Sequence, residues 1–246
     1  MADVLDRRAL GAIRLVDGAT GAPLDGGFRV RGERARFVRN RRGLYVVVEA
    51  AGLEALSASF RVPSSPPPPA SVSIALTVTD ASGRFLPRRA TLVLPRDADP
   101  ANRDSAGSLF RAVRLRLFAG RTGAVSTNAS ALRVTVTDGA ARVRGAYLRL
   151  RRQGTDETLG AGITDGDGEG LVLLPRLPLL DFSDALAGPV RTAEVAATLE
   201  VSTVPDHGWP PDPDLLETDH AANLRRTLDL ALRAGRTATA AIDLAG

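Results

Sequence analysis

The stretch ARVRGAYLRLRRQGTDETLGAGITDGDGEGLVLLPRLP, residues 141–178, decides the fold class. Apolar side chains alternate with polar ones in two segments, Ala146/Leu148/Leu150 and Leu159/Ala161/Ile163. A polar turn separates these segments, and the glycine-rich run 165–170 follows the second. Because side chains alternate between the two faces of a strand, this pattern predicts antiparallel strands with one face on a core.

The same alternation recurs on both sides of this stretch. It predicts further strands at residues 13–15, 28–30, 44–48, 56–62, 72–78, 90–94, 113–117, 132–136 and 195–201. Residues 39–43 are typical of a hairpin turn, with Gly43 available for a positive φ. Residues 217–223 have a helical pattern, and residues 228–232 and 237–244 predict a terminal β-hairpin around the turn 234–236.

The clearest boundary is the proline-rich segment 63–70, because consecutive prolines cannot join a sheet interior and favour an extended spacer. We predict an all-β fold of two or three small antiparallel β-sandwich modules. The predicted division is an N-terminal module over 1–62, the linker over 63–70, a middle module over 71–130 and a C-terminal module over 131–246. The C-terminal module includes the proline-rich loop 205–214 and the terminal hairpin.

Composition limits the function classes. The chain of 246 residues has no cysteine, so no disulfide or thiolate chemistry is available, and all 32 basic residues are arginine. The isoelectric point near 10.6 follows from that arginine content, although the net charge is only +4. Pairs such as Arg114/Arg116 and Arg149/Arg151 predict solvated strand faces, and aromatic residues for stacking are scarce, so we predict no nucleic-acid partner. Without a long apolar run, we predict no membrane span and a chain that is cytoplasmic as synthesised.

Three aspartates end predicted strands in a similar way. Asp17, Asp80 and Asp138 each precede a glycine-containing turn and a second alternating segment. An aspartate can accept hydrogen bonds from the following backbone amides, and glycine relieves the turn. The spacing is typical of successive small β modules.

The run Val136-Thr137-Asp138-Gly139, together with residues 143–148 and 162–168 and Leu173/Pro175, resembles the carboxypeptidase-regulatory-like, transthyretin-like sandwich module. The first module resembles it more loosely through Asp17, Gly21, Pro23 and residues 43–45. The resemblance implies an accessory, non-catalytic role. The overall organisation also resembles accessory structural proteins of phage-tail-like contractile injection systems.

Asp165, Asp167 and Glu169 alternate with glycines as in a calcium loop, but Arg176 stands where a bidentate glutamate belongs. We therefore favour a tight hairpin over a calcium site, and the calcium reading stays open. We predict no catalytic residue, no cofactor and no metal.

The two histidines each follow an aspartate, as Asp206-His207 and Asp219-His220. An aspartate can orient a histidine for acid–base chemistry, but adjacency in sequence does not supply that geometry, so ordinary loop histidines are favoured. Trp209, in the loop 205–214, suits either a partner contact or packing of the loop onto a sandwich edge.

These observations favour a non-catalytic structural or adaptor subunit of a large multi-protein particle. We expect its partners to be other protein subunits, and we expect the chain to be oligomeric or part of a hetero-complex. Arginine-rich strand faces and the loop 205–214 are the expected contacts. A calcium- or glycan-binding module and a hydrolase using His207 or His220 are the alternatives.

Overall fold

The chain has an all-β fold, as its alternating pattern predicts. The computed structural model describes residues 8–58, 71–125, 129–175, 177, 180–181, 191–192, 194–205 and 207–246. The chain divides into two compact units, each of which has its own strands. The first comprises Met1–Val16, Ala22–Ala81 and Arg89–Arg116, and the second comprises Asp17–Gly21, Ser82–Arg88 and Leu117–Gly246.

The first unit is built on a seven-stranded sheet. Its strands are β1 (Gly11–Asp17), β2 (Phe28–Gly32), β3 (Ala35–Arg39), β4 (Tyr45–Ala50), β5 (Val72–Asp80), β6 (Arg88–Leu94) and β7 (Val113–Leu117), in the order β6-β5-β2-β3-β4-β1-β7. A 3-10 helix at Pro100–Asn102 lies in the predicted loop after β6. Alternate side chains such as Ile13, Val47 and Val78 are fully buried, so one face of the sheet carries the core.

The turn between β3 and β4 confirms the predicted hairpin, since Gly43 has a φ of 74° and the Asn40 side chain accepts from the amides of Arg42 and Leu44. Strand β3 was not predicted. Only Ala35 and Phe37 of its five side chains are partly buried, and three of the five residues are either arginine or alanine, so its apolar pattern is weak.

The strand predicted over 56–62 is wrong at its start, because Glu54–Ala58 forms a short helix, α1. The Glu54 carboxylate accepts the amide of Gly52 at 3.0 Å, and the Ser57 amide donates to the Leu53 carbonyl at 2.9 Å. Leu53 and Ser57 are both buried, so the side-chain spacing of four residues serves a helix face rather than a strand face. Residues 59–62 lie outside the described part of the chain.

The second unit is a sandwich of two sheets. The first five of its strands along the chain are β8 (Ser130–Asp138), β9 (Ala141–Arg142), β10 (Tyr147–Arg152), β11 (Thr158–Ile163) and β12 (Glu169–Leu174). They are followed by β13 (Leu180–Asp181), β14 (Arg191–Thr192), β15 (Glu194–Ser202), β16 (Leu224–Arg233) and β17 (Thr237–Asp243). One sheet has the order β11-β10-β15-β16, and the other has the order β12-β8-β17 with β9 beside β8, while β13 and β14 pair with each other. Leu132, Leu148 and Leu199 come from both sheets and are completely buried in one apolar core.

Helix α2 (Pro213–Thr218) and a 3-10 turn (Ala221–Asn223) connect β15 to β16. The helical prediction over 217–223 is therefore partly right, with a helix that begins earlier. Asp212 caps α2 by accepting the Asp214 amide.

The predicted terminal hairpin is wrong, although both of its strands are present. Strand β16 pairs antiparallel with β15, whereas β17 runs parallel to β8 in the other sheet. Leu232 and Ile242 are both buried in the same core, which they reach from different sheets. The connecting turn is held where β8 begins, because the Gly235 amide donates to the Ser130 hydroxyl at 2.8 Å.

The compact units also differ from the predicted domain ranges. Strands of the predicted modules 1–62 and 71–130 share one sheet, since β2 pairs with β5 along its whole length. The backbone of β2 needs hydrogen-bonding partners on both of its edges. Strand β3 lies on one edge, and β5, from the predicted middle module, supplies the partners on the other. The proline-rich segment 63–70 lies outside the described residues.

In the described part of the chain, the helices are all too short for a membrane crossing.

Candidate functional site

The solvent side of the first unit's sheet carries a group of arginines. The register aligns Ala12 with Val46 and Val46 with Val38, so these three side chains share the face opposite the core. Arg14 and Arg36 follow the same alternation two residues along β1 and β3. Arg29 and Arg31 point to this side from β2, where both are exposed.

We call Arg14, Arg29, Arg31, Arg36 and Val38 the arginine face. Arg36 pairs with Glu49 at 3.2 Å, and Val38 is 44% exposed. Within the described residues, the side chains of Arg14, Arg29 and Arg31 have no carboxylate partner. Exposed arginine beside an exposed aliphatic side chain is the composition that protein interfaces favour.

A buried polar cluster lies in the second unit, on β15 and after α2. The Ser202 hydroxyl is 2.6 Å from His220 Nδ1, and His220 Nε2 is 3.0 Å from Glu200 Oε2. Arg149 Nε and Arg151 Nη1, from the neighbouring strand β10, donate to the same carboxylate at 2.7 and 3.2 Å. Ser202 and His220 are 0% and 1% exposed, so the histidine end of the cluster is closed to solvent, whereas the side chains of Arg149 and Arg151 are each 29% exposed.

Burial and hydrogen bonding together set the charges of this cluster. Burial lowers the pKa of His220 and the positive charge of Arg149 lowers it further, whereas the hydrogen bond that His220 donates to Glu200 raises it. For Glu200, burial raises the pKa, but the hydrogen bonds from His220 and Arg149 outweigh it and leave the pKa below its usual value. Because an ionised carboxylate only accepts, Nε2 of the neutral ring carries the proton and Nδ1 accepts from the Ser202 hydroxyl.

The cluster contains the three group types of a hydrolytic triad in a different arrangement. The serine contacts Nδ1 and the carboxylate contacts Nε2, and the hydroxyl is inaccessible, so no substrate carbonyl can reach it. The arrangement ties β10, β15 and the segment after α2 together. His220, expected to be an ordinary loop histidine, is buried in the connection after α2. Arg149 and Arg151 lie on the face of β10 opposite the core, where their side chains are 29% exposed and bind Glu200.

Sequence reasoning missed Glu200 and Ser202. Both lie on the outer side of β15, two residues apart, while Leu199 and Val201 face the core. A glutamate and a serine alternating with buried apolar residues are the only local signal. Asp219, the neighbour expected to orient His220, is exposed and caps α2 through its backbone instead.

The acidic glycine run forms the predicted hairpin turn. Asp165 Oδ1 accepts the amides of Asp167 and Glu169 at 2.9 and 3.1 Å, and Gly168 has a φ of 71°. The turn joins β11 to β12, which then enter different sheets.

The guanidinium group of Arg121 lies beside the three carboxylates of this turn, where a bound cation would have to lie. The closest approaches of Arg121 to Asp165, Asp167 and Glu169 are 3.9, 3.0 and 3.7 Å. In the described part of the chain, no group of three or more histidine and acidic side chains is arranged to hold a metal ion. Arg176, at the twelfth position, is outside those residues.

The loop 205–214 packs onto its own unit. Arg144 lies 5.3 Å above the Trp209 ring, and Trp209 contacts an apolar cluster that contains Tyr147 and Leu216. These contacts favour packing of the loop over a free contact anchor. His207 is partly buried, and its neighbour Asp206 is outside the described residues.

A buried ion pair fixes the end of this loop. Arg88, whose side chain is 2% exposed, approaches Asp212 at 3.2 Å and Asp214 at 3.0 Å. The pair holds the start of α2 in place, because Asp212 is also the helix cap.

Comparison with known proteins shows no match to any family description and no match among curated proteins. Among solved structures, the Bacillus anthracis TIE protein is similar over 96% of this chain with 10% identity and a TM-score of 0.28. The chain spans 34% of that protein's length. Two variants of the shaft pilin SpaA from Lactobacillus rhamnosus GG have 11% and 12% identity and TM-scores of 0.23 and 0.21. They cover 95% and 98% of this chain, which spans 96% and 91% of theirs.

Proposed function

We propose that this protein is a non-catalytic structural or adaptor subunit of a larger protein assembly. The observation that carries the proposal is the arginine face, which presents three guanidinium groups without carboxylate partners in the described residues on the same side of the sheet as an exposed valine. Such a surface suits recognition, since arginine combines charge, directed hydrogen bonds and a long apolar stem. The sequence resemblance to phage-tail-like contractile injection systems suggests the class of particle.

The candidate chemical groups support recognition better than catalysis. His220 is enclosed with Ser202 and Glu200, and the carboxylates of the turn at Asp165 surround Arg121. In both places the polar groups have intramolecular partners that also stabilise the fold. Neither arrangement favours the hydrolase or the calcium alternative.

The proposal is tested by purifying the tagged chain gently from its own host and examining the eluate by electron microscopy and sedimentation. We expect the chain to co-sediment with large particles that contain other subunits. A chain that runs as a monomer in its native lysate, with no particle in the eluate, would contradict the proposal.

Two further measurements address the alternatives. Thermal unfolding with and without calcium is expected to give the same midpoint, and a calcium-dependent rise that disappears in Asp165→Asn/Asp167→Asn would favour the calcium module. An esterase or peptidase activity that is lost in His207→Ala/His220→Ala would favour the hydrolase.

A further inference from the structure

Strand β17 ends the sheet β12-β8-β17, and its outer edge is open within the described residues. The Ala131 amide donates to the Arg236 carbonyl at 3.2 Å, and the Leu244 amide donates to the Thr137 carbonyl at 2.7 Å. Because the peptide groups of a strand point alternately to its two edges, the even-numbered residues from 236 to 244 bond to β8. The amides and carbonyls of the odd-numbered residues point to the other edge, where no described strand pairs with them. These residues are Thr237, Thr239, Ala241 and Asp243.

This edge lacks the features that usually protect an exposed strand. A charged side chain, a proline or a bulge normally hinders pairing with another chain. Residues 237–242 contain no charge and no proline, and their register with β8 is unbroken. Strand β16, which ends the other sheet, carries Arg225, Asp229 and Arg233. Of these two edges, β17 is therefore the one that can accept a further strand.

A second copy of β17 fits this edge along its whole length in one antiparallel register. With Ala240 opposite Ala240 of the second copy, Thr239 lies opposite Ala241, and Thr237 lies opposite Asp243. Every outward-pointing peptide group of the strand then has a partner, because each such pair of residues exchanges two backbone hydrogen bonds. The open edge is thus complementary to itself.

The exposed faces of the two strands are compatible in this register. The odd-numbered residues of β17 are all exposed, so Thr237 and Asp243 of the two copies meet on one face. The amides of Gly139 and Ala245 bind Oδ1 of Asp243, so Oδ2 can accept from the Thr237 hydroxyl of the second copy. No charged residue lies opposite one of the same sign.

The core-facing sides also match. Ala238 and Ala240 are only partly buried against the core, and Ile242 belongs to it. In the proposed register Ala238 lies opposite Ile242 of the second copy, so the apolar layer continues across the contact. A parallel arrangement in register would instead place Arg236 beside Arg236 and Asp243 beside Asp243, which favours the antiparallel one.

We propose that two copies of this chain pair through β17 and form a dimer with one continuous sheet across a two-fold axis. The order of that sheet is β12-β8-β17-β17-β8-β12. The inference goes beyond the proposed function, because it assigns a surface other than the arginine face and identifies the partner of that surface. A contact between identical surfaces is complete with two copies, so this edge gives a dimer and no larger species.

The dimer is expected to be reversible. A strand of seven residues is about 23 Å long, so one strand pair covers less than the roughly 1,200–2,000 Å² of a stable interface. Backbone hydrogen bonds carry most of the contact, and moderate salt should therefore change the dimerisation little.

Sedimentation velocity of the full chain over a wide concentration range tests the proposal. Thr239→Lys/Ala241→Lys brings like charges opposite each other across the axis, and we expect it to weaken dimerisation by about tenfold or more. Both side chains are exposed, so the variant should still fold, which circular dichroism and thermal unfolding check. The control Thr91→Lys/Val93→Lys changes a matched exposed pair on β6, an edge strand of the first unit, and should dimerise like the wild type.

A second position separates the proposed contact from general destabilisation. Thr237→Asp puts a like charge opposite Asp243 of the second copy and should weaken dimerisation by about threefold. Thr237→Lys puts an opposite charge there and should strengthen dimerisation by about threefold. A loss of folding cannot produce effects of both signs.

Single cysteines test the register, since the chain has no cysteine of its own. Opposite residues of a hydrogen-bonded antiparallel pair have Cα atoms about 5.5 Å apart, within the range of about 4.4–6.8 Å that disulfides span. A mixture of Thr239→Cys and Ala241→Cys should therefore cross-link on mild oxidation, and either variant alone should cross-link much less.

Several results would overturn the proposal: a wild type that stays monomeric at every concentration, a lysine variant of β17 that dimerises like the wild type, or equal weakening in the control. Effects of one sign at Thr237, or a cysteine mixture that cross-links no more than its components, would also do so. The proposed function fails separately. If the wild type enters native particles but never dimerises, the second copy is the wrong partner and the structural role stands.

Discussion

Acidification is expected to destabilise the protein through His220. The folded-state pKa of this histidine lies below its ordinary value of 6.5, chiefly because the ring is buried. The unfolded chain therefore takes up a proton at a pH where the folded chain still excludes it. Between the two pKa values the unfolded state binds more protons, so the free energy of unfolding falls as the pH falls. For one proton the slope reaches at most about 1.4 kcal/mol per pH unit.

Glu200 acts in the same direction at lower pH. Its pKa is also below the ordinary value, 4.5, because the hydrogen bonds from His220 and Arg149 outweigh the effect of burial. Its contribution is fully present above pH 4.5 and is lost as the pH falls through the folded-state pKa. As the pH falls, the loss of stability through His220 thus begins near pH 6.5, and the loss of stability through Glu200 begins near pH 4.5.

Urea unfolding followed by circular dichroism at about pH 7.5, 6.5 and 5.5 measures the histidine window. His220→Gln keeps an amide donor for Glu200 but cannot titrate, so the slope below pH 6.5 should disappear. At the highest pH the variant should be less stable than the wild type by about 1–3 kcal/mol, because the Ser202 hydroxyl loses its partner.

The control is His207→Gln, which removes the other of the two histidines and should leave the slope of His220 in place. A His220→Gln variant that loses stability with acid as steeply as the wild type would refute the reasoning. So would a wild type whose stability is constant across the window.

Three further substitutions, each measured by equilibrium urea unfolding, test other contacts. Arg88→Ala should cost about 3 kcal/mol, because it removes a buried side chain and leaves the largely buried carboxylate of Asp212 without that guanidinium partner, and a cost under about 1 kcal/mol would contradict the importance of that ion pair. Asp165→Ala should cost about 1–2 kcal/mol, since two backbone amides of the turn lose their acceptor, and an unchanged stability would show that water replaces it fully. Gly160→Ala should cost about 2 kcal/mol, because its new Cβ would lie 2.6 Å from a backbone carbonyl oxygen of β12. Gly166→Ala is the matched control, with no atom within 4 Å of its Cβ, and equal losses in the two glycine variants would reject the steric explanation.

Features that depend on neighbouring residues could be predicted from the sequence. Strands β8, β10 and β11 lie where Leu132, Leu148 and Ile163 alternate with polar residues. The turn at Asp165 was also predictable, because one carboxylate bonds amides only two and four residues away. In both cases the sequence pattern and the structure that it predicts involve the same few consecutive residues.

Features that depend on distant residues could not be predicted in the same way. Alternation shows that β16 and β17 each have a buried face, but it does not say which strand lies beside them. Glu200 and His220 are 20 residues apart, and a helix and a turn between them decide that they meet. Helix α1 was missed because Leu53 and Ser57 carry its buried spacing while the alternation at Leu56 and Ala58 suggested a strand.

The parallel pairing of β17 with β8 has a consequence for how the protein is made. Thr237 to Asp243 is matched with Ala131 to Thr137, so the partner of β8 is synthesised about a hundred residues after it. Until the ribosome has released residue 243, one edge of β8 is uncovered, and the growing chain carries an open strand edge that can recruit other chains. The sandwich of the second unit is therefore completed only late in translation, and early binding of a chaperone at β8 would protect the nascent protein from aggregation.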